Sequence, residues 1–473
     1  MAHHEDELLR VLHTSLVAPS PPLRAHHDDG ELSLPLTYLD AMWLAFAPVE
    51  RVFFYRLAPD ADVAAIVSNL TGSLSRALHA FFPLAARLRL IPGTTNRYEL
   101  YYNPVAEGGA GVTFTVAEYD GADIDDLATD EPREHAKIAP LVPHLPEGGA
   151  VLALQATLLR ARRGLALGVT VHHAACDGSA STHFLHTWAA WAAGADTPPQ
   201  PPVVDRAIIR DRKDLHDMFT TPRPSSDAHD GSSSTTKPDH IFDASADPRQ
   251  VLATFTLSPE QLQHVKDTVA GEAARRGVPP PRCTSVVATF GFVWRCHYQA
   301  KASSSSSGDR AYLGLPMDLR RRLDPPVPDK YLGNCVGPCI VSAPKAELAA
   351  AGADGLFAAC AAVAAAIDEA VRRGESGYWK WLMERATEAY GDGRPLSVAG
   401  SPRFRVYGVD FGFGPPAKVD IVSVANTGAI SVAESRAGSG GIEVGISLLP
   451  DAMDSFQSCF ADAIASLPSL HAA

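Results

Sequence analysis

Apolar positions along the chain switch repeatedly between helical and extended periodicity. Residues 62–82 set Val63, Ile66, Leu70, Leu74, Leu78 and Phe81 at helical spacing, which predicts an amphipathic helix. Further helices are predicted near 258–275, 284–300, the Ala-rich 353–373 and 452–466. Between them lie short runs that read as strands: 7–19, broken by Pro19, Pro21 and Pro22, the segment ending VFFYRL at Leu57, then 98–102 and 112–116. Residues 151–173 hold two strands separated by Arg160–Gly164, and three more strands follow near 419–425, 429–434 and 442–448. A helix from about Ser181 to Ala193 carries Phe184, Leu185, Trp188 and Trp191 on one side, with Ser181 or Thr182 as its expected N-cap.

Alternation of short strands and helices in both halves predicts an α/β fold. The stretch 221–249 is rich in Pro, Ser, Asp and Gly and cannot build a core. It divides the chain into an N-terminal domain over 1–215, a crossover linker over 216–250 and a C-terminal domain over 251–473. Ser303–Ser307 reads as a loop tip. Two halves of similar size imply a cleft, where small-ligand sites tend to sit.

With 46% hydrophobic and 20% charged residues, the 473-residue chain has ordinary globular composition, which excludes disorder of the whole. The net charge of −13 argues against wrapping nucleic acid, which needs a concentrated basic face. No apolar run approaches the roughly 20 residues that span a bilayer, and the charged start MAHHEDELLR lacks a secretory core. Seven cysteines without a CxxC pair read as reduced thiols. The expected setting is the cytoplasm, with no membrane or nucleic-acid partner and a monomeric state.

Three local patterns could carry chemistry. In Val171-His172-His173-Ala174-Ala175-Cys176-Asp177-Gly178, strand parity puts Leu165, Leu167, Val169, Val171 and His173 on one face. An imidazole therefore ends an apolar strand face where the chain turns, a natural place for a general base. The competing readings are a hydrogen-bonded core histidine, a metal site of His172, His173 and Asp177, and a nucleophilic Cys176. Adjacent strand residues face opposite ways and share one ion with difficulty, and nothing in the sequence activates Cys176. The second pattern, Asp410-Phe411-Gly412-Phe413-Gly414 before Pro415 and Pro416, describes a tightly turned loop with a structural role. The third runs Asp318-Leu319-Arg320-Arg321-Arg322, where Arg320 and Arg322 share one strand parity, and then Tyr331-Leu332-Gly333-Asn334-Cys335. It reads as a solvated basic turn or as an Arg pairing with a buried carboxylate.

As an ordered set, these patterns resemble the BAHD acyltransferase family of plants, marked by His-x-x-x-Asp mid-chain and Asp-Phe-Gly-Trp-Gly near the end. LPLTYLDAMWL with PVERVFFYRL, SLSRALHAFFPLAARL, AGSPRFRVYGVDFGFGPPAKVDIVS and ISVAESRAGSGGIEVGISL extend the likeness over nearly the whole chain. The front segments and YLGNC are similar to the group acting on anthocyanins and phenolic glycosides. Phe413 stands where that family has Trp, and Leu332 where it has Phe; both keep bulky apolar character.

The resemblance implies two similar chloramphenicol-acetyltransferase-like domains, mixed sheets with flanking helices and an active-site channel between them, and a segment near 414–436 crossing back to the first sheet. It implies an acyl-CoA-dependent O-acyltransferase, with malonyl-CoA the favoured donor and hydroxycinnamoyl-CoA the alternative, acting on a phenolic or flavonoid glycoside. His173 would be the base and Asp410 is counted with the catalytic set. Asp177 would pair with Arg320, and Gly178, Gly412 and Gly414 would be structural. Thr284, Ser285, Ser401 and Arg403 are candidate acyl-CoA contacts, with Arg403 the guess for a malonyl carboxylate. No metal, bound cofactor or covalent acyl-enzyme is expected. Polyamine N-acylation and a catalytically silent binding relative are the competing functions.

Overall fold

The computed structural model describes residues 8–23, 31–105, 110–160, 163–197, 199–221, 246–301, 308–391, 395–438 and 440–467, without the side chain of Ser376. The first half supplies nine strands: β1 Leu9–Val17, β2 Leu32–Pro35, β3 Val49–Arg56, β4 Arg87–Leu90, β5 Tyr98–Tyr102, β6 Val112–Tyr119, β7 Arg133–Glu134, β8 Leu152–Leu159 and β9 Gly164–Val171. The second supplies β10 Val251–Leu257, β11 Arg310–Asp318, β12 Val336–Pro344, β13 Leu396–Gly400, β14 Lys418–Ile421, β15 Ile430–Glu434 and β16 Ile442–Leu448. They form a six-stranded mixed sheet (β1-β6-β8-β9-β3-β14), a seven-stranded mixed sheet (β12-β11-β13-β15-β16-β10-β7) and a small sheet (β2-β5-β4).

β8 (LALQATLL) and β9 (GLALGVTV) are buried at every position, so their near-continuous apolar sequences are those of central strands covered on both faces. Helices flank the sheets. Val63–Ala80 starts from the Asp62 side chain, which accepts the Ala65 N–H. Pro259–Arg275 starts from a Ser258/Gln261 capping box with proline in the first turn. In the second half Ser285–Ala300 packs against Gly352–Arg372, and Gly291 permits that approach: a Cβ there would meet Cys360 Sγ at 2.5 Å.

The two cores exchange chain. Tyr38 and Leu39, from the front of the sequence, are buried in the core of the second half. Val406, Val409 and Phe411 are buried in that of the first. Tyr331 and Leu332 are neighbours, yet Tyr331 enters the second core and Leu332 the first. Burying each such side chain stabilises by about 1.5–3 kcal/mol, so the segment carrying Asn334 is anchored on both sides.

Several expectations shift. The helix expected from Ser181 begins at Gly178, because Asp177 accepts the Ala180 N–H and caps it earlier than Ser181 or Thr182. Arg320 and Arg322 lie in a turn, with Arg322 N–H donating to Leu319 O at 2.8 Å, so strand parity does not govern them. The strand expected over 419–425 ends at Ile421 and gives way to a short helix at Val424–Thr427. Of the 414–436 stretch, β14 hydrogen-bonds to β3, whereas β15 lies in the seven-stranded sheet. Lys213–Thr220 is helical at the start of the expected linker, and 222–245 fall outside the described residues, as does Ser303–Ser307. Among the described residues no helix is long and apolar enough to cross a membrane.

Candidate active site

β9 ends at Val171, and the chain turns immediately: Ala175 N–H donates to His172 O at 3.0 Å. His173 stands at this turn, half-buried. Its ring lies flat on the Trp43 indole, with centroids 3.9 Å apart and planes at 12°. Its Nδ1 lies 3.2 Å from Asn334 Oδ1.

The rest of the network assigns the proton. Asn334 Nδ2 donates to Asp40 Oδ1 at 3.1 Å and to His173 O at 2.9 Å, so the amide oxygen is the atom facing the imidazole. Nδ1 therefore carries the hydrogen and Nε2 keeps its lone pair. Burial pushes the His173 pKa below its usual value, against opposing pulls from its own backbone, Asp177, Asn334 and Asp40. The ring is thus neutral at pH 7 and ready to take a proton.

Asp40 organises this arrangement. It closes a capping box with Thr37, its Oδ2 accepting Thr37 N–H at 3.0 Å and Thr37 hydroxyl at 2.7 Å. Its Oδ1 accepts the Asn334 backbone N–H at 2.8 Å, and Arg206 Nη1 lies 3.8 Å from Oδ2. Trp43 N–H donates to Asp40 O at 3.0 Å, so one residue positions both the ring under His173 and the amide beside it. Asp40, Trp43, Arg206 and Asn334 were not singled out from sequence as site residues. The Thr37–Asp40 capping box is local, but its reach to Asn334 spans 294 positions and leaves no local pattern.

Asp177 faces away from this network. Arg320 Nη2 lies 3.0 Å from its Oδ1 and Nη1 2.9 Å from its Oδ2, a two-pronged pair with both residues 3% exposed. Cys335 N–H donates to Oδ2 at 2.9 Å. Burial alone would lower the Arg320 pKa, but the Asp177 charge outweighs it and holds the guanidinium firmly protonated. The pair clamps the loop after His173 to the turn after β11. At Gly178 a Cβ would stand 2.7 Å from the Phe404 ring, so only glycine lets the 401–404 loop lie against the helix start.

Asp410 is occupied by its own loop. Its Oδ1 accepts the N–H of Gly412 at 2.8 Å and of Gly414 at 2.9 Å, with both glycines at positive φ, 97° and 101°. Phe411 packs edge-on against Trp188 at 4.7 Å, and Phe413 packs edge-on against Tyr55 at 5.0 Å. Tyr55 hydroxyl donates to Val409 O at 2.9 Å. The phenylalanine at 413 thus fills a wall of this loop, and Asp410 supports the chain rather than meeting His173.

The candidate acyl-CoA contacts fall in two places, the start of Ser285–Ala300 and the loop that lies against Gly178. Thr284 is the N-cap of Ser285–Ala300, accepting the Val287 N–H, and Lys266 Nζ donates to Ser285 Oγ at 2.9 Å. Ser401 Oγ accepts the Arg403 N–H at 3.2 Å, and the Arg403 residue is exposed. Burial pushes the Cys176 thiol well up, which removes it as a nucleophile. No three His, Cys, Asp or Glu side chains cluster as a metal site among the described residues.

The chain matches the Transferase family over residues 9–463. It is 33% identical to phenolic glucoside malonyltransferase 1 of Arabidopsis thaliana, covering 94% of this chain and 96% of that protein. It is 30% identical to an Arabidopsis thaliana coumaroyl-CoA:anthocyanidin 3-O-glucoside-6''-O-coumaroyltransferase, covering 90% and 92%. Among solved structures, vinorine synthase superposes with a TM-score of 0.66 at 18% identity over 94% of this chain and 96% of that one. TRI101 of F. graminearum, complexed with ethyl coenzyme A, superposes at 0.62 and 17% identity over 90% and 97%. These likenesses show that the chain is an acyltransferase belonging to the Transferase family of BAHD enzymes.

Proposed function

We propose that the protein transfers a malonyl group from malonyl-CoA to a sugar hydroxyl of a phenolic or flavonoid glycoside, with His173 as general base. The observation that carries this reading is the Asn334 amide at His173: its Oδ1 faces Nδ1 at 3.2 Å, which assigns the hydrogen to Nδ1 and leaves the Nε2 lone pair to take a proton. An acceptor hydroxyl donates to Nε2, and its oxygen attacks the thioester carbonyl as the proton passes to the ring. The resulting tetrahedral oxyanion collapses, the C–S bond breaks, and the CoA thiolate leaves with the proton that His173 returns. The ring ends as it began, and no acyl-enzyme forms. Donor and acceptor would approach His173 through a channel between the two sheets, with Thr284, Ser285, Ser401 and Arg403 as candidates for holding the CoA.

The relatives support an acyl-CoA donor and a glycoside acceptor: malonyl- and coumaroyltransferases of phenolic and anthocyanidin glucosides match over nine-tenths of the chain. A second reading, a hydroxycinnamoyl donor with a glycoside or amine acceptor, is favoured by the coumaroyl relatives, one of them agmatine coumaroyltransferase at 30% identity. The test is incubation with malonyl-CoA and coumaroyl-CoA, each with a flavonoid glucoside and with agmatine, followed by product mass. A malonylated glucoside is expected. His173→Ala should lower kcat by about 10³-fold while melting as the wild type does. Wild-type turnover in that variant, or no transfer from either thioester, overturns the assignment.

A further inference from the structure

The side chain that the chemistry above leaves unexplained is Arg51. It sits on β3, paired opposite Val169 of β9 on one side and Ile421 of β14 on the other. Directly paired residues face the same side of a sheet, so Arg51 shares the face of Val169 and, by strand parity, of Val171, where β9 ends two residues before His173. It is 6% exposed. The one hydrogen bond it makes among the described residues is from Nη1 to Thr182 Oγ1, at 3.4 Å. No carboxylate of those residues lies within 4 Å of it. Thr182 stands in the first turns of the helix that follows the catalytic loop, so the guanidinium reaches up beneath that loop.

A buried cation without an anion is costly to a fold. The space beside it suggests what supplies the missing charge. Arg51 lines a cavity of about 30 Å³ between the two sheets, together with Ile421, Gly400, Phe404, Ser431 and Glu443. At roughly 10–15 Å³ for each water-sized occupant, this takes two oxygen-sized groups, the measure of one carboxylate and far too little for a phosphate chain. Phe404 is the residue against which Gly178 packs, so the cavity adjoins the catalytic loop from below. Two acids stand nearby, and the charge of one of them, Glu434, acts on Arg51 without touching it. Glu443 accepts the Tyr407 hydroxyl at 2.6 Å and pairs with Arg436 at 3.3 Å. Glu434 accepts the Tyr407 N–H at 2.9 Å, and its other oxygen is buried without a partner. Burial raises the Glu434 pKa, which favours the neutral acid.

We propose that Arg51 is the specificity residue of the donor site, its guanidinium taking the free carboxylate of a malonyl-type acyl-CoA in this cavity while the thioester end faces His173. This rests on the acyl-transfer reading above and assigns the carboxylate to Arg51 instead of the exposed Arg403.

The experiment compares kcat/KM for malonyl-CoA and acetyl-CoA, which differ by that carboxylate, with one flavonoid glucoside as acceptor. The wild type should favour malonyl-CoA by at least about tenfold, and Arg51→Met should lower the malonyl-to-acetyl ratio by roughly 10²-fold. Arg51→Lys should fall between, since it keeps the charge and loses the fork. If Arg51→Met fails to fold, Arg51→Lys and Arg51→Gln decide by the same ratio. An unchanged ratio, as expected were Arg51 and Glu434 a water-bridged pair serving only the fold, overturns the proposal. So does a wild type that does not prefer malonyl-CoA to acetyl-CoA. Failure to transfer any acyl group refutes the acyltransferase reading; transfer without a malonyl preference refutes the Arg51 assignment alone.

Discussion

Two buried guanidinium groups flank the loop that follows His173 and are provided for in opposite ways. Arg320 and Arg51 are 3% and 6% exposed, so burial does not distinguish them. Partners do. Arg320 meets both oxygens of Asp177, whereas Arg51 has a single long contact with the Thr182 hydroxyl. Their acidities differ accordingly. Burial works against both cations, yet Asp177 lifts Arg320 above the ordinary arginine value while Arg51 is lowered to about 10. A satisfied charge holds a loop in place; an unsatisfied one beside a cavity is held ready for a ligand.

Stability separates the two most sharply. Arg320→Met strands the Asp177 carboxylate inside the protein and should cost about 3 kcal/mol, the low end for breaking a buried pair, because Asp177 keeps the Ala180 and Cys335 N–H donors. Arg51→Met removes a cation that no carboxylate of the described residues touches, Glu434 acting on it only from a distance, and the ligand-free protein should melt at the same temperature or higher. Thermal melts of both variants without substrate measure this. Equal losses in the two variants would erase the contrast and mark Arg51 as a second structural clamp.

A smaller effect is expected at Asn334, where the same logic concerns one proton instead of one charge. Asn334→Ala removes the acceptor that fixes the proton on Nδ1. In serine proteases a wrong tautomer costs up to about 10⁴ in kcat, and a neutral amide beside a half-buried ring should give roughly 10- to 100-fold. KM for the donor should change little if Asn334 acts through His173 alone. In the wild type the acid limb of kcat/KM should lie below about 6.5, since the His173 pKa is lowered. Activity is full above that limb and falls as acid protonates Nε2. A limb well above 6.5, or a loss in Asn334→Ala confined to KM, contradicts the assignment.

What the sequence reveals follows the range of the interactions involved. β9 is legible from its apolar run, a local rule, but it ends at Val171, so the strand parity expected to reach His173 stops at the turn. The helices at 63–80, 259–275 and 285–300 follow from spacing and caps within one turn. The helix Gly374–Gly391 escapes notice because Tyr378, Trp379, Trp381 and Leu382 are all buried, which blurs any single apolar stripe. β11 and β12 were masked by reading their connection for its charges. The Asp40–Asn334 contact spans 294 positions and that of Asn334 with His173 spans 161. No local pattern encodes such meetings, so the residues that set the proton on the base, and the cation on β3, emerge only from the fold. The Asp177–Arg320 pairing was available beforehand through the family resemblance alone.

The mildest contrast sets Asp410 against Asp177. Both carboxylates accept backbone N–H groups, but Asp410 serves two glycines of its own five-residue loop, and Gly412 is exposed to solvent that can take over as acceptor. Asp410→Ala should therefore cost only about 1 kcal/mol of stability, and Asp410→Asn, which keeps a carbonyl oxygen at the same place, less than that. If the loop is architectural, Asp410→Asn should restore the melting temperature and kcat together, since the amide reproduces the two contacts that matter. A variant that melts normally yet has lost most of kcat would instead put the Asp410 charge in the reaction, and the loop would have to be counted with His173.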